Sequence, residues 1–231
     1  MRLRIALLCI GLQLTPGWAE AGPWVRDPGG GYFEAATLGQ RIDGETAIRG
    51  ELYGEYGLTS KWTINGQLEG VTFTDLDGFD QFAYRFTGRR QIWRRGVWRA
   101  ALEGGVVGGE AIGGTIGGCD TVGGEARLSI GGGGRTKRQR DWFTFFDVAI
   151  REHGNCRRQR IEAGYGREVA KNWFTVNKVF LEVGTDDARS AKFETLVSRR
   201  VGRTDFSVGF RQEFGGRFQE SGVLLSIQRR F

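Results

Sequence analysis

The final stretch Gln219-Glu220-Ser221-Gly222-Val223-Leu224-Leu225-Ser226-Ile227-Gln228-Arg229-Arg230-Phe231 sets Val223, Leu225, Ile227 and Phe231 at even spacing. Side chains that recur every second residue share one face of an extended chain, so this reads as a β-strand with one apolar face. Working back from it, the same alternation returns for about ten residues at a time. In 48–58, Ile48, Leu52, Tyr56 and Leu58 share a face with Gly50 and Gly54, opposite Arg49, Glu51 and Glu55. In 62–72, Trp62, Ile64 and Leu68 oppose Thr63, Asn65, Gln67 and Glu69. Trp142, Thr144, Phe146, Val148 and Ile150 oppose Phe143, Phe145, Asp147 and Arg151. Phe206, Val208, Phe210 and Phe214 oppose Ser207, Gly209, Arg211 and Glu213. Only 173–183 is mixed, with Phe174, Val176 and Phe180 on the same face as Lys178 and Glu182.

Strands are expected at 31–41, 46–57, 61–73, 81–92, 97–108, 122–131, 141–151, 157–167, 173–184, 191–200, 205–214 and 219–231. The chain has 39 Gly, 3 Pro and 16 Phe, and this aromatic content separates it from Gly-rich disordered chains. At its start, Met1-Arg2-Leu3-Arg4, the apolar run Ile5 to Leu14 and Ala19-Glu20-Ala21 form a signal-peptide pattern with a cut expected after Ala21. Residues 1–21 are then discarded, Cys9 with them, and 22–231 form a single domain. No later segment has the length of apolar sequence that a transmembrane helix needs, so entry into a membrane requires closed strands.

The faces fit a barrel with a charged inside and an apolar outside. A soluble ligand-binding barrel has the reverse arrangement, and periodicity alone does not separate the two. The tryptophans do. With both termini on one side, Trp62, Trp93, Trp98, Trp142 and Trp173 all fall in or beside the turns on that side, and Trp24 lies just before the first strand. An aromatic belt at a membrane interface has this distribution, because indole is most stable where apolar chains meet headgroups.

The apolar alternation ending in Phe231 resembles the C-terminal assembly signal of small bacterial outer-membrane β-barrel proteins, although Arg229 stands where an apolar or aromatic residue is commoner. The segment Glu55-Tyr56-Gly57-Leu58-Thr59-Ser60-Lys61-Trp62 is similar to their short periplasmic hairpin turns. The resemblance implies an all-β fold: a single antiparallel transmembrane β-barrel of about 12 strands, with 10 the main alternative, around a polar lumen. It implies an outer-membrane location among lipid and lipopolysaccharide, and engagement of the barrel assembly machinery through the strand ending in Phe231. It reaches an architecture and no functional subfamily.

Arginine carries the strongest chemical signal. By alternation Arg85, Arg89 and Arg99 face the lumen, with Glu51, Glu55, Glu69, Glu103, Glu125, Asp147 and Glu162 as candidate partners. Paired across a narrow lumen these charges hold the barrel shut; left to line an open route, the arginines favour anions. Their numbers tilt the expectation toward pairing. Cys119 and Cys156 fall in neighbouring outer loops of an oxidising compartment and form a candidate disulfide. The basic run Arg135-Thr136-Lys137-Arg138-Gln139-Arg140 lies in a turn on the termini side, where export makes nucleic acid an unsuitable partner and anionic headgroups a suitable one.

No cofactor or metal is expected. The single His153 cannot build a multi-histidine site, and the turn Asp75-Leu76-Asp77-Gly78-Phe79-Asp80 lacks the later Glu of a helical calcium loop. The leading functional expectation is a non-enzymatic barrel, either a narrow, anion-favouring channel or an accessory barrel in envelope assembly or surface-polymer export. One alternative is a lipid-modifying enzyme using His153 on the outer wall, which needs a Ser or Thr within hydrogen-bond reach. The other is a soluble secreted ligand-binding barrel.

Overall fold

The computed structural model describes residues 22–75, 80–109, 122–154, 156–185, 189–215 and 219–231. These form twelve strands: β1 (Gly31–Ile42), β2 (Glu45–Thr59), β3 (Trp62–Phe73), β4 (Gln81–Arg95), β5 (Trp98–Gly109), β6 (Gly123–Arg135), β7 (Asp141–His153), β8 (Cys156–Ala170), β9 (Trp173–Gly184), β10 (Arg189–Val201), β11 (Thr204–Phe214) and β12 (Glu220–Arg230). Each pairs antiparallel with the next, and β1 pairs with β12 from Tyr32–Arg230 to Ile42–Glu220, closing the barrel. Twelve strands, and not ten, is therefore the architecture. Closure leaves no unpaired edge, which is the condition for a sheet to span hydrocarbon.

Side chains sort by the pleat. Ile48, Leu52, Phe86, Leu102, Val208 and Leu225 are exposed on the outer surface, while Arg49, Glu69, Arg89, Glu125 and Asp147 are buried within. An apolar exterior around a charged interior is the inverse of a soluble ligand-binding barrel, and that alternative is overturned. The mixed β9 resolves by the same rule: Phe174, Val176, Lys178, Phe180 and Glu182 point in, and Val179, Leu181 and Val183 point out.

On the termini side the strands run further than the alternation suggests. β2 reaches Thr59, β4 reaches Arg95 and β8 reaches Ala170, each through a register shift, at Gly57/Thr59, Gln91/Trp93 and Glu168/Ala170. Trp93 consequently lies within β4, not in a turn. The run Gly131 to Gly134, which extends past the expected strand 122–131, belongs to β6 and pairs with Trp142 to Phe145. The reason is steric. A Cβ on Gly131 would lie 2.9 Å from the Trp24 ring inside, and one on Gly132 would lie 2.9 Å from the Trp98 ring outside. Glycine here accommodates neighbouring rings on both faces. At the opposite end, β1 and β2 join through Asp43 and Gly44, at φ 51° and 94°, the left-handed pair that a two-residue hairpin requires.

Candidate functional site

The lumen is the candidate site. Its charged side chains pair around the wall, and many of the pairs reach over an intervening strand. Arg89 on β4 meets Glu55 on β2 at 2.8 Å and Glu103 on β5 at 2.8 Å. Arg85 meets Glu125 on β6 at 3.0 Å, and the same carboxylate takes Arg127 at 3.2 Å and Arg151 at 2.5 Å. Arg127 continues to Asp147 at 3.3 Å and Glu162 at 3.7 Å. On the far wall Glu194 holds Lys178 at 3.0 Å and Arg211 at 2.7 Å, and Arg211 crosses to Glu51 at 3.0 Å. Arg49 bridges Glu69 on β3 and Glu220 on β12, and Lys192 also reaches Glu220, at 3.1 Å.

Of the residues expected in the lumen, Arg85, Arg89, Glu51, Glu55, Glu69, Glu103, Glu125 and Asp147 all lie in this network. Arg99 does not. It is the second residue of β5, half-exposed beside the Gly96-Val97 turn, and its Nη1 donates to the Val97 carbonyl at 3.3 Å. Alternation gives the face but not the depth, and at that depth the lumen opens to solvent. The network also takes in Arg49, Arg127, Lys178, Lys192, Glu194, Arg211 and Glu220, which are not among the expected lumen charges; Arg49 and Arg127 alternate with the expected Glu51 and Glu125, whereas the other five lie on β9 to β12, where no lumen charge is expected.

The lumen also holds something that alternation cannot reveal. Residues 22–30 turn into the barrel from the termini side. Pro23 is fully buried, and Trp24 sets its ring edge-on to Phe143 and Phe145, at centroid distances of 6.2 and 6.5 Å. Phe174 and Val176 complete this apolar cluster. Val176 also joins it to Leu38, Leu196 and Leu224. Arg26 pairs with Glu55, its backbone N–H donates to Thr63 Oγ1 at 2.8 Å, and Arg89 donates to the Trp24 carbonyl at 3.0 Å. Gly29 and Gly30 exchange backbone hydrogen bonds with Gly57 of β2, both at 2.9 Å. The wall makes room for the segment at that point: a Cβ on Gly57 would stand 2.1 Å from the Asp27 carbonyl oxygen. Trp24 is thus a lumen residue, not part of the belt. Between the segment and the opposite mouth the lumen keeps a polar chamber of about 160 Å³, bounded by Glu51, Arg85, Arg127, Lys178, Lys192 and Arg211 among others.

Trp62, Trp98 and Trp173 begin β3, β5 and β9, Trp142 is second in β7, and Trp93 lies near the end of β4, all at the termini-bearing end of the outer surface. His153 ends β7, is buried and points into the lumen, the wrong face for a site on the outer wall. Cys156 is disulfide-bonded, and Cys119 lies outside the described residues. Residues 76–79 of the Asp-rich turn also lie outside them. Among the described residues no group of three or more His, Cys, Asp or Glu is placed to hold a metal.

No family model matches the chain, and no curated protein matches it in sequence. Solved structures do match in shape. A KdgM porin aligns over 86% of this chain and 99% of its own, with TM-score 0.61 and 8% identity. An outer membrane channel from Pseudomonas putida F1 aligns over 95% and 100%, with TM-score 0.60 and 12% identity. A NanC porin aligns over 84% and 98%, with TM-score 0.58 and 9% identity. At such identities the likeness is one of fold. The chain is a closed, twelve-stranded antiparallel β-barrel with an apolar outer surface and a charged lumen, and it shares the fold of these outer-membrane porins and this channel.

Proposed function

We propose that the chain is a narrow, non-enzymatic outer-membrane channel for small polar solutes, held shut at its termini-bearing end by residues 22–30. The observation that carries this reading is the seating of Trp24 and Arg26 inside the barrel, on Phe143, Phe145 and Glu55. Glycines at two points of the wall that the segment crowds, Gly57 and Gly131, support a built seat for it. The chamber beyond it is lined by charged groups of both signs, which suits a small polar solute. Its basic groups face acidic ones at ion-pair distance, so the expected selectivity is weak and not strongly anionic.

The test is single-channel conductance in a planar bilayer. The chain spanning 22–231 is expected to open rarely and briefly, and Trp24→Ala/Arg26→Ala to open often and for long periods. If both insert and stay silent, the channel reading fails and an accessory barrel takes its place.

A further inference from the structure

At the termini-bearing end, five exposed arginines on the outer face each sit directly across the ladder from an aromatic ring. Arg90 opposes Trp62, Arg95 opposes Trp98, Arg167 opposes Trp142, Arg199 opposes Trp173 and Arg229 opposes Phe33. Directly opposed side chains on one face stand about 5 Å apart at Cβ, close enough for ring and guanidinium to touch. In two pairs the guanidinium lies over the ring, 5.6 Å from the Trp62 centroid for Arg90 and 5.3 Å from that of Trp173 for Arg199.

These arginines differ from those of the lumen in one respect. The inward arginines described above, Arg99 excepted, are matched by acids, whereas no ion pair is recorded for any of these five among the described residues. Nearby acids are engaged elsewhere: Asp141 pairs with Arg135 at 3.1 Å, and Glu168 accepts the Asn172 N–H at 3.1 Å. Unmatched positive charge thus collects on the outer rim, where the aromatic belt marks the boundary between hydrocarbon and headgroups.

We infer that these arginine–aromatic pairs form a ring of sites for anionic glycerophospholipids of the surrounding leaflet. The ring supports the guanidinium at headgroup depth, and the planar guanidinium fork suits two phosphate oxygens at once. The inference rests on the membrane-spanning fold and not on the channel reading. It also gives Arg229 a role at the position where the terminal pattern departs from apolar.

The experiment is native mass spectrometry of the full barrel from mixed micelles holding phosphatidylglycerol and phosphatidylcholine with the same acyl chains. The wild-type chain is expected to retain phosphatidylglycerol preferentially. Arg199→Gln/Arg229→Gln and Arg90→Gln/Arg95→Gln are each expected to reduce that preference, about fivefold per arginine, leaving phosphatidylcholine retention unchanged. Equal retention of the two lipids by the wild-type chain overturns the inference with no variant needed. An undiminished preference in the folded quadruple variant overturns it too.

Discussion

The Arg89 guanidinium donates to the backbone oxygen of Trp24 at 3.0 Å, tying the barrel wall to the segment inside it. The same side chain neutralises Glu55 and Glu103, both buried. Removing one member of a buried ion pair leaves its partner charged and unmatched, at a cost of about 3–5 kcal/mol. Arg89→Ala is therefore expected to lower stability by that order in urea unfolding from lipid vesicles. Arg26→Ala is expected to cost less, since Glu55 keeps Arg89.

Gly57→Ala separates the seat from the charges. Its Cβ would collide with the Asp27 carbonyl, an atom of the segment and not of the wall. The segment is expected to lift while β2 and β3 stay paired. Trypsin cleavage after Arg26 should then become several-fold faster, with the circular-dichroism spectrum unchanged; cleavage at the wild-type rate would mean the segment stays seated.

Glu125 is the common acceptor of Arg85, Arg127 and Arg151. Glu125→Gln keeps the shape of the side chain and removes its charge, so the lumen becomes net positive there. In the Trp24→Ala/Arg26→Ala background the reversal potential in a salt gradient is expected to move toward the anion value. No movement would place the conducting route away from Glu125.

Leu52 stands midway along β2 with its side chain on the outer surface. If that surface meets hydrocarbon, Leu52→Arg costs about 2–4 kcal/mol in a bilayer. Folding titrations in vesicles read this directly, and a change near zero would remove lipid from that face.

The strands were legible because every second residue reports the face, and a closed twelve-strand count follows from twelve such runs. What alternation does not carry is depth along the barrel axis. Arg99 and Arg89 have the same inward parity, yet one lies beside a turn and the other deep in the network. His153 lies beyond the expected strand 141–151 for the same reason, since β7 continues to it. Gly131 to Gly134 carries no alternation because glycine has no side chain, and the rings of Trp24 and Trp98 account for glycine at Gly131 and Gly132 within a strand. The inner segment is invisible to periodicity altogether: Gly22-Pro23-Trp24-Val25-Arg26 is not a strand, and its partners on β2, β4 and β7 are distant in sequence.

The pairs that reach over a strand bear on how the wall closes. Arg49 on β2 holds Glu220 on β12, and Arg211 on β11 holds Glu51 on β2, so both straddle the seam between the first and last strands. Backbone pairing of β1 with β12 can zip one residue at a time, but these charges leave water only when strands from both ends of the chain have come together. The seam thus works as a latch: joining the first strand to the last brings Arg49 to Glu220 and Arg211 to Glu51, two pairs that an open sheet cannot make.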